Sequence, residues 1–141
     1  MKFYESTATI KATPDTIWQI LTDAPAYPTW NPAVERVEGS IAPGETIKVQ
    51  VKANPGRTFP VKVTEFQPSS HMVWSGGMPL GLFRGVRTYR LTPAGEGTTR
   101  FDMREEYTGL MLPMIWKSIP DLAPSFEQFA QGLKAEAEKR A

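Results

Sequence analysis

The sequence predicts an α+β fold: a curved, seven-stranded antiparallel sheet wrapped around one long C-terminal helix, with two short helices after the first strand. Three observations predict it. Residues 3–11, and then the stretch from Ala33 to Tyr107, alternate polar and apolar side chains with turn chemistry at intervals, the pattern of half-buried strands. Between these regions lie a capped helical segment and three prolines in eight positions, Pro25, Pro28 and Pro32, which leave room only for brief helices. After Gly109 the period changes, and Phe126, Phe129, Ala130, Leu133 and Ala137 form the apolar stripe of one amphipathic helix.

In chain order, Tyr4, Ser6, Ala8 and Ile10 alternate with Phe3, Glu5, Thr7, Thr9 and Lys11 as strand one. Thr13 is an N-cap, Pro14 suits the first helical position and Asp15 the first turn, so a helix is predicted over about 14–22. A second helical turn ends near Trp30. Six strands follow as one antiparallel meander: Val34–Gly39, Thr46–Lys52, Arg57–Phe66, His71–Ser75, 83–92 and 99–108. Their turns sit at Pro43-Gly44, Asn54-Pro55-Gly56, Pro68-Ser69-Ser70, a glycine-rich loop from Gly76 to Leu82, and Ala94-Gly95-Glu96-Gly97. Pro113, Pro120 and Pro124 rule out one unbroken helix from 112 onward. A separate turn is therefore expected around Met114–Ser118, with Pro124 in the first turn of the long helix.

The chain of 141 residues is expected to form a single domain, 1–141, large enough to bury a core without disulfides or metal. Sixteen basic and fifteen acidic residues without a block of like charge point away from nucleic acid as a partner. The absence of cysteine removes a thiolate nucleophile and any Cys-based metal site, and agrees with a reducing compartment. No apolar run is long enough for a membrane span, and Met1–Ser6 lacks the apolar core of a signal peptide, so a cytoplasmic location is expected. His71 is the only histidine, so multi-histidine zinc sites and histidine triads are excluded; beside Ser69-Ser70 it is expected at an exposed strand edge. No Gly-x-Ser-x-Gly elbow or phosphate-binding loop is present. No metal and no cofactor are predicted.

The sharpest chemical signal is a pair of charges among apolar neighbours. Read at every second position, Phe83-Gly85-Arg87-Tyr89-Leu91 and Phe101-Met103-Glu105-Tyr107 place Arg87 and Glu105 on the inward faces of the last two strands. A buried charge must be paired and hydrogen-bonded, so the two meet each other, a ligand, or both. Either the pair fixes strand register, or it orients a polar group on a greasy ligand. Glu106, adjacent to Glu105, faces the opposite side, so the two carboxylates cannot act as an acid/base pair.

A set of short stretches in fixed order carries a family resemblance: Ala12-Thr13-Pro14-Asp15-Thr16-Ile17-Trp18, Tyr27-Pro28-Thr29-Trp30-Asn31-Pro32, Trp74-Ser75-Gly76, Gly85-Val86-Arg87-Thr88-Tyr89, Gly97-Thr98-Thr99-Arg100-Phe101 and Glu105-Glu106-Tyr107-Thr108-Gly109. Together they resemble the START-like (SRPBCC) superfamily, and within it the polyketide cyclase/dehydrase and lipid-transport group. The resemblance implies a helix-grip, birch-pollen-allergen-like fold with a cavity between the long helix and the loops, holding lipids, hormones, polyketides or other apolar molecules. In one respect the chain departs from the pattern: many relatives carry a histidine in the Gly-x-His-x-aromatic stretch where this chain has Arg87. The exchange removes a titratable base and leaves a permanent donor suited to an anion or carbonyl.

The functional expectation is binding, with transport or sequestration, of a small hydrophobic molecule in a cavity of roughly 300–1,000 Å³. Its walls are expected from Trp30, Val49, Val51, Phe59, Val61, Trp74, Phe83, Tyr89, Met103, Tyr107, Trp116, Phe126 and Phe129, with Arg87 and Glu105 as the polar anchor. One alternative is a cyclase- or dehydratase-like enzyme in which Arg87 stabilises an enolate or carbonyl oxygen and Glu105 moves a proton. Another is an interaction module, or a homodimer, built on the apolar segment 110–116.

Overall fold

The computed structural model describes residues 1–141. Strand β1 (Lys2–Ile10) leads through the cap at Thr13, whose hydroxyl accepts the Thr16 N–H at 3.3 Å, into α1 (Pro14–Leu21). Helix α1 buries Ile17, Trp18, Ile20 and Leu21. A single 3₁₀ turn at Ala24–Ala26 follows, and then α2 (Tyr27–Trp30). Helix α2 stops at Trp30 because Asn31 precedes Pro32 and is extended, the conformation to which a following proline biases a residue. The six remaining strands are β2 (Val34–Glu38), β3 (Thr46–Val51), β4 (Phe59–Gln67), β5 (His71–Met78), β6 (Phe83–Pro93) and β7 (Thr99–Thr108). The chain ends with α3 (Leu112–Trp116) and α4 (Ala123–Arg140).

All seven strands form one antiparallel sheet in the order β1-β7-β6-β5-β4-β3-β2, so a meander is closed on one side by the first strand. The sheet curls around α4 as a half-barrel. Two register shifts, at Val34/Arg36 in β2 and Val63/Glu65 in β4, help to bend it, since an extra residue on one strand kinks that strand and raises its twist. After the second shift the inward set steps from Val63 to Phe66, which packs edge-on against Trp18 with ring centroids 5.2 Å apart.

The predicted stripe of α4 is its buried face: Phe126, Phe129, Ala130, Leu133 and Ala137. Close approach of α4 to α2 depends on Gly132, where a Cβ would run into the carbonyl oxygen of Trp30. Toward the C-terminal end of α4 the interior is filled by Leu133 and Ala137 with Ile10, Ile17, Ile20, Leu21, Leu91 and Phe101. Toward its N-terminal end the sheet and the helix stand apart.

Three expectations change. The strand predicted to end at Ser75 runs to Met78, because Gly76, Gly77 and Met78 pair with Gly85, Arg84 and Phe83. The glycine-rich stretch is thus mostly ladder and only Pro79–Gly81 turns, since glycine allows close strand approach as readily as it allows looseness. The helical turn predicted over Met114–Ser118 occupies Leu112–Trp116, with Pro113 in its first turn and not as its barrier. His71 is not at an exposed edge: it pairs with Gln67 on one side and Arg90 on the other, half-buried, with Nε2 3.7 Å from Glu65.

Candidate functional site

The gap between α4 and the sheet is a cavity of about 770 Å³. Strands β3 to β7 supply most of its wall through their inward positions, while α3, the segment 118–122 and the first turns of α4 form the other side. Of the fifteen residues predicted to line it, twelve do: Val49, Val51, Phe59, Val61, Trp74, Phe83, Arg87, Met103, Glu105, Tyr107, Phe126 and Phe129. The other three do not. Trp30 packs on Phe129 and Tyr27 at centroid distances of 5.1 and 4.7 Å, Tyr89 is buried against Trp74 at 4.9 Å, and Trp116 stacks on Tyr4 at 5.7 Å. Strand parity assigns a face to a residue but not its depth, so neighbours on the same face can be sealed behind one another.

Among the wall residues outside the predicted set are Arg57 and Asn54 from the β3–β4 hairpin, and Met111, Ile115, Ile119 and Leu122 in and around α3. The apolar run 110–116 was the available signal for the latter. Nothing in local pattern singled out Arg57.

Arg87 and Glu105 face each other in the β6–β7 ladder, and Arg87 Nε donates to Glu105 Oε1 at 2.6 Å. Arg87 Nη1 lies 3.4 Å from the Tyr89 hydroxyl, and the guanidinium stands over the Phe126 ring, 4.7 Å from its centroid. Both side chains keep accessible surface, 24% for Arg87 and 19% for Glu105. Because both line the cavity, that surface is part of its wall. Gly85 makes the arrangement possible, since a Cβ there would lie 2.8 Å from Glu105 Oε2.

Burial is the largest single influence on Arg87 and works against its charge, but Glu105 together with Tyr89 and Tyr107 outweighs it, so the guanidinium holds its proton more firmly than usual. Burial pushes the Tyr89 hydroxyl up to about 12, a shift that the adjacent Arg87 charge only partly offsets. Tyr107 is raised as well, by burial and then by the Glu105 charge. These groups keep fixed protonation states near neutrality: one permanent cation and two neutral phenols beside a carboxylate. No three His, Asp or Glu side chains converge anywhere in the chain as metal ligands would.

The sequence profile described as polyketide cyclase / dehydrase and lipid transport matches residues 2–138. The chain belongs to this family. Solved structures agree on the helix-grip, START-like fold. The Zhui aromatase/cyclase from Streptomyces sp. R1128 superposes with a TM-score of 0.76 at 16% identity, covering 99% of this chain and 94% of that one. A START superfamily protein from Mycobacterium smegmatis gives 0.72 at 19% identity, covering 99% of each. Norcoclaurine synthase from Thalictrum flavum, solved with dopamine and hydroxybenzaldehyde, gives 0.72 at 16% identity, covering 99% of this chain and 88% of that one. At such identities the comparison carries the fold alone. Among curated proteins none matches the sequence.

Proposed function

We propose that this chain binds a small hydrophobic molecule bearing a carbonyl or anionic group, and holds it in the cavity for transport or sequestration. The observation that carries this reading is an apolar cavity of about 770 Å³ with an ion pair set in its wall. A tightly packed interior would have needed no such space, and a pair serving register alone would not need to face it. Arginine suits the role because it stays charged and offers several donors, of which Glu105 takes one from Nε. The ligand's apolar body would lie against Val49, Val51, Val61, Phe83 and Phe126.

Native mass spectrometry of the protein purified from its own host tests this. A co-purifying apolar molecule of matching size is the expected result, and a protein that carries nothing and takes up no fluorescent apolar probe would overturn the reading.

A second reading, cyclase or dehydratase chemistry on a reactive polyketone, is favoured by one feature. Glu105 engages Arg87 through Oε1, while Oε2 lies over Gly85 outside that bond. In this scheme the carboxylate takes an α-proton, Arg87 holds the enolate oxygen, and the carbanion attacks a second carbonyl of the same chain. Turnover of a polyketone thioester that falls at least about 100-fold in Glu105→Gln would establish it, because general-base contributions are of that order.

A further inference from the structure

Two segments beside the cavity, the β5–β6 connection and the stretch from Leu110 into α3, leave large apolar side chains in solvent. Leu80, in the β5–β6 turn, is 96% exposed, Leu110 is 87%, Met114 is 65% and Met78 is 42% exposed. They belong to one patch, because the Met111 N–H donates to the Leu82 carbonyl at 2.8 Å and Gly109 packs against that same carbonyl. Leu80 also holds a φ of 62°, a left-handed conformation that leucine rarely adopts. Strain combined with exposure serves no purpose in the folded core.

The two segments that carry the patch hold no negative charge. Residues 76–83 and 109–120 contain no Asp or Glu. Lys117 follows α3, Arg84 pairs with Thr108 next to Gly109, and Lys2 Nζ lies 6.0 Å from the Trp116 ring centroid. None of the three forms an ion pair. Asp121, the acidic residue just beyond, accepts from the Ala123 N–H at 3.0 Å and from the Tyr4 hydroxyl at 3.4 Å.

We propose that this patch docks on the surface of an anionic lipid bilayer. Leu80, Leu110 and Met114 insert among the acyl chains, and Lys2, Arg84 and Lys117 meet the headgroup phosphates. Charge complementarity favours this occupant, since unpaired cations around an apolar centre are the usual signature of a lipid-surface site. Charge also argues against a second copy, since a face that met itself about a two-fold axis would bring the unpaired cations of both copies together. The patch also adjoins the cavity: Met78 belongs to both, and Met111 and Ile115, chain neighbours of Leu110 and Met114, line the wall. If the cavity reading holds, an apolar cargo would leave directly into an apolar phase, but the docking itself does not depend on that reading.

The test is flotation with vesicles of phosphatidylcholine alone or doped with phosphatidylglycerol. The wild-type protein is expected to float with the doped vesicles and to be released by high salt. The double variant Leu80→Asp/Leu110→Asp, at positions outside the cavity wall and with an unchanged circular dichroism spectrum, is expected to lose about ten-fold or more in partitioning. Arg84→Glu/Lys117→Glu is expected to lose the preference for phosphatidylglycerol. No flotation with doped vesicles would overturn the proposal. So would a solution dimer that Leu80→Asp/Leu110→Asp dissociates. An empty cavity with normal flotation would sink the cavity reading and leave this one standing.

Discussion

Arg87 and Glu105 were legible from the sequence because alternation fixes which face each residue takes, and two adjacent strands placed one charge each among apolar neighbours. If Arg87 anchors a ligand, Arg87→Met is expected to weaken binding of an apolar carboxylate probe at least about 10-fold, or about 1.4 kcal/mol. The double variant Arg87→Met/Glu105→Leu removes the orphaned carboxylate too, and is expected to recover thermal stability without recovering affinity. Equal affinity in Arg87→Met and wild type would reduce the pair to a register device. Gly85 offers a finer probe. Gly85→Ala is expected to change stability by less than about 1 kcal/mol, because the added methyl offsets backbone entropy while Glu105, a flexible chain end, moves aside. Probe affinity is nonetheless expected to fall, since the carboxylate and its partner must shift together. Depth was the illegible part: Tyr89 and Trp30 have the composition of wall residues, yet their neighbours' rings cover them.

At the scale of elements, α4 was read correctly because a five-residue apolar stripe has no competing interpretation, whereas strand ends and bulges carry no periodic mark. The shift at Val63/Glu65 leaves the sequence alternating on either side, and only the ladder reveals the extra residue. The run 76–78 misled for a related reason, since glycine is common both in turns and in strands that approach closely. Gly132 shows how tertiary context reverses a local preference. In an exposed helix, Gly→Ala stabilises by up to about 1 kcal/mol. Here the new methyl meets the Trp30 carbonyl, so Gly132→Ala is expected to destabilise by about 1–3 kcal/mol in chemical denaturation and to push α4 away from α2. A stabilised variant would mean that the two helices are not in close contact.

For the whole molecule, the buried phenols tie stability to alkaline pH. Tyr27, Tyr89 and Tyr107 all hold their protons above the usual tyrosine range, first because burial disfavours a phenolate, with Tyr89 at about 12. The folded state therefore binds more protons than the unfolded chain once pH exceeds the free tyrosine value of about 10, and stability must fall as pH rises from there. Below about pH 10 the contribution is fully present. The expected result is a melting temperature insensitive to these groups near neutrality and dropping above that point, with tyrosine ionisation, followed by ultraviolet difference absorbance, coinciding with loss of structure. Ionisation of all the tyrosines in a still-folded protein would contradict this.

The pairing of the first strand with the last has a kinetic side. Lys2–Ile10 finds its hydrogen-bonding neighbour only in Thr99–Thr108, so one flank of the cavity cannot close until residues some ninety positions further along have been made. Such long-range contacts slow folding, and until they form, β1 and the facing edge of β7 are both unpaired strands open to misassociation.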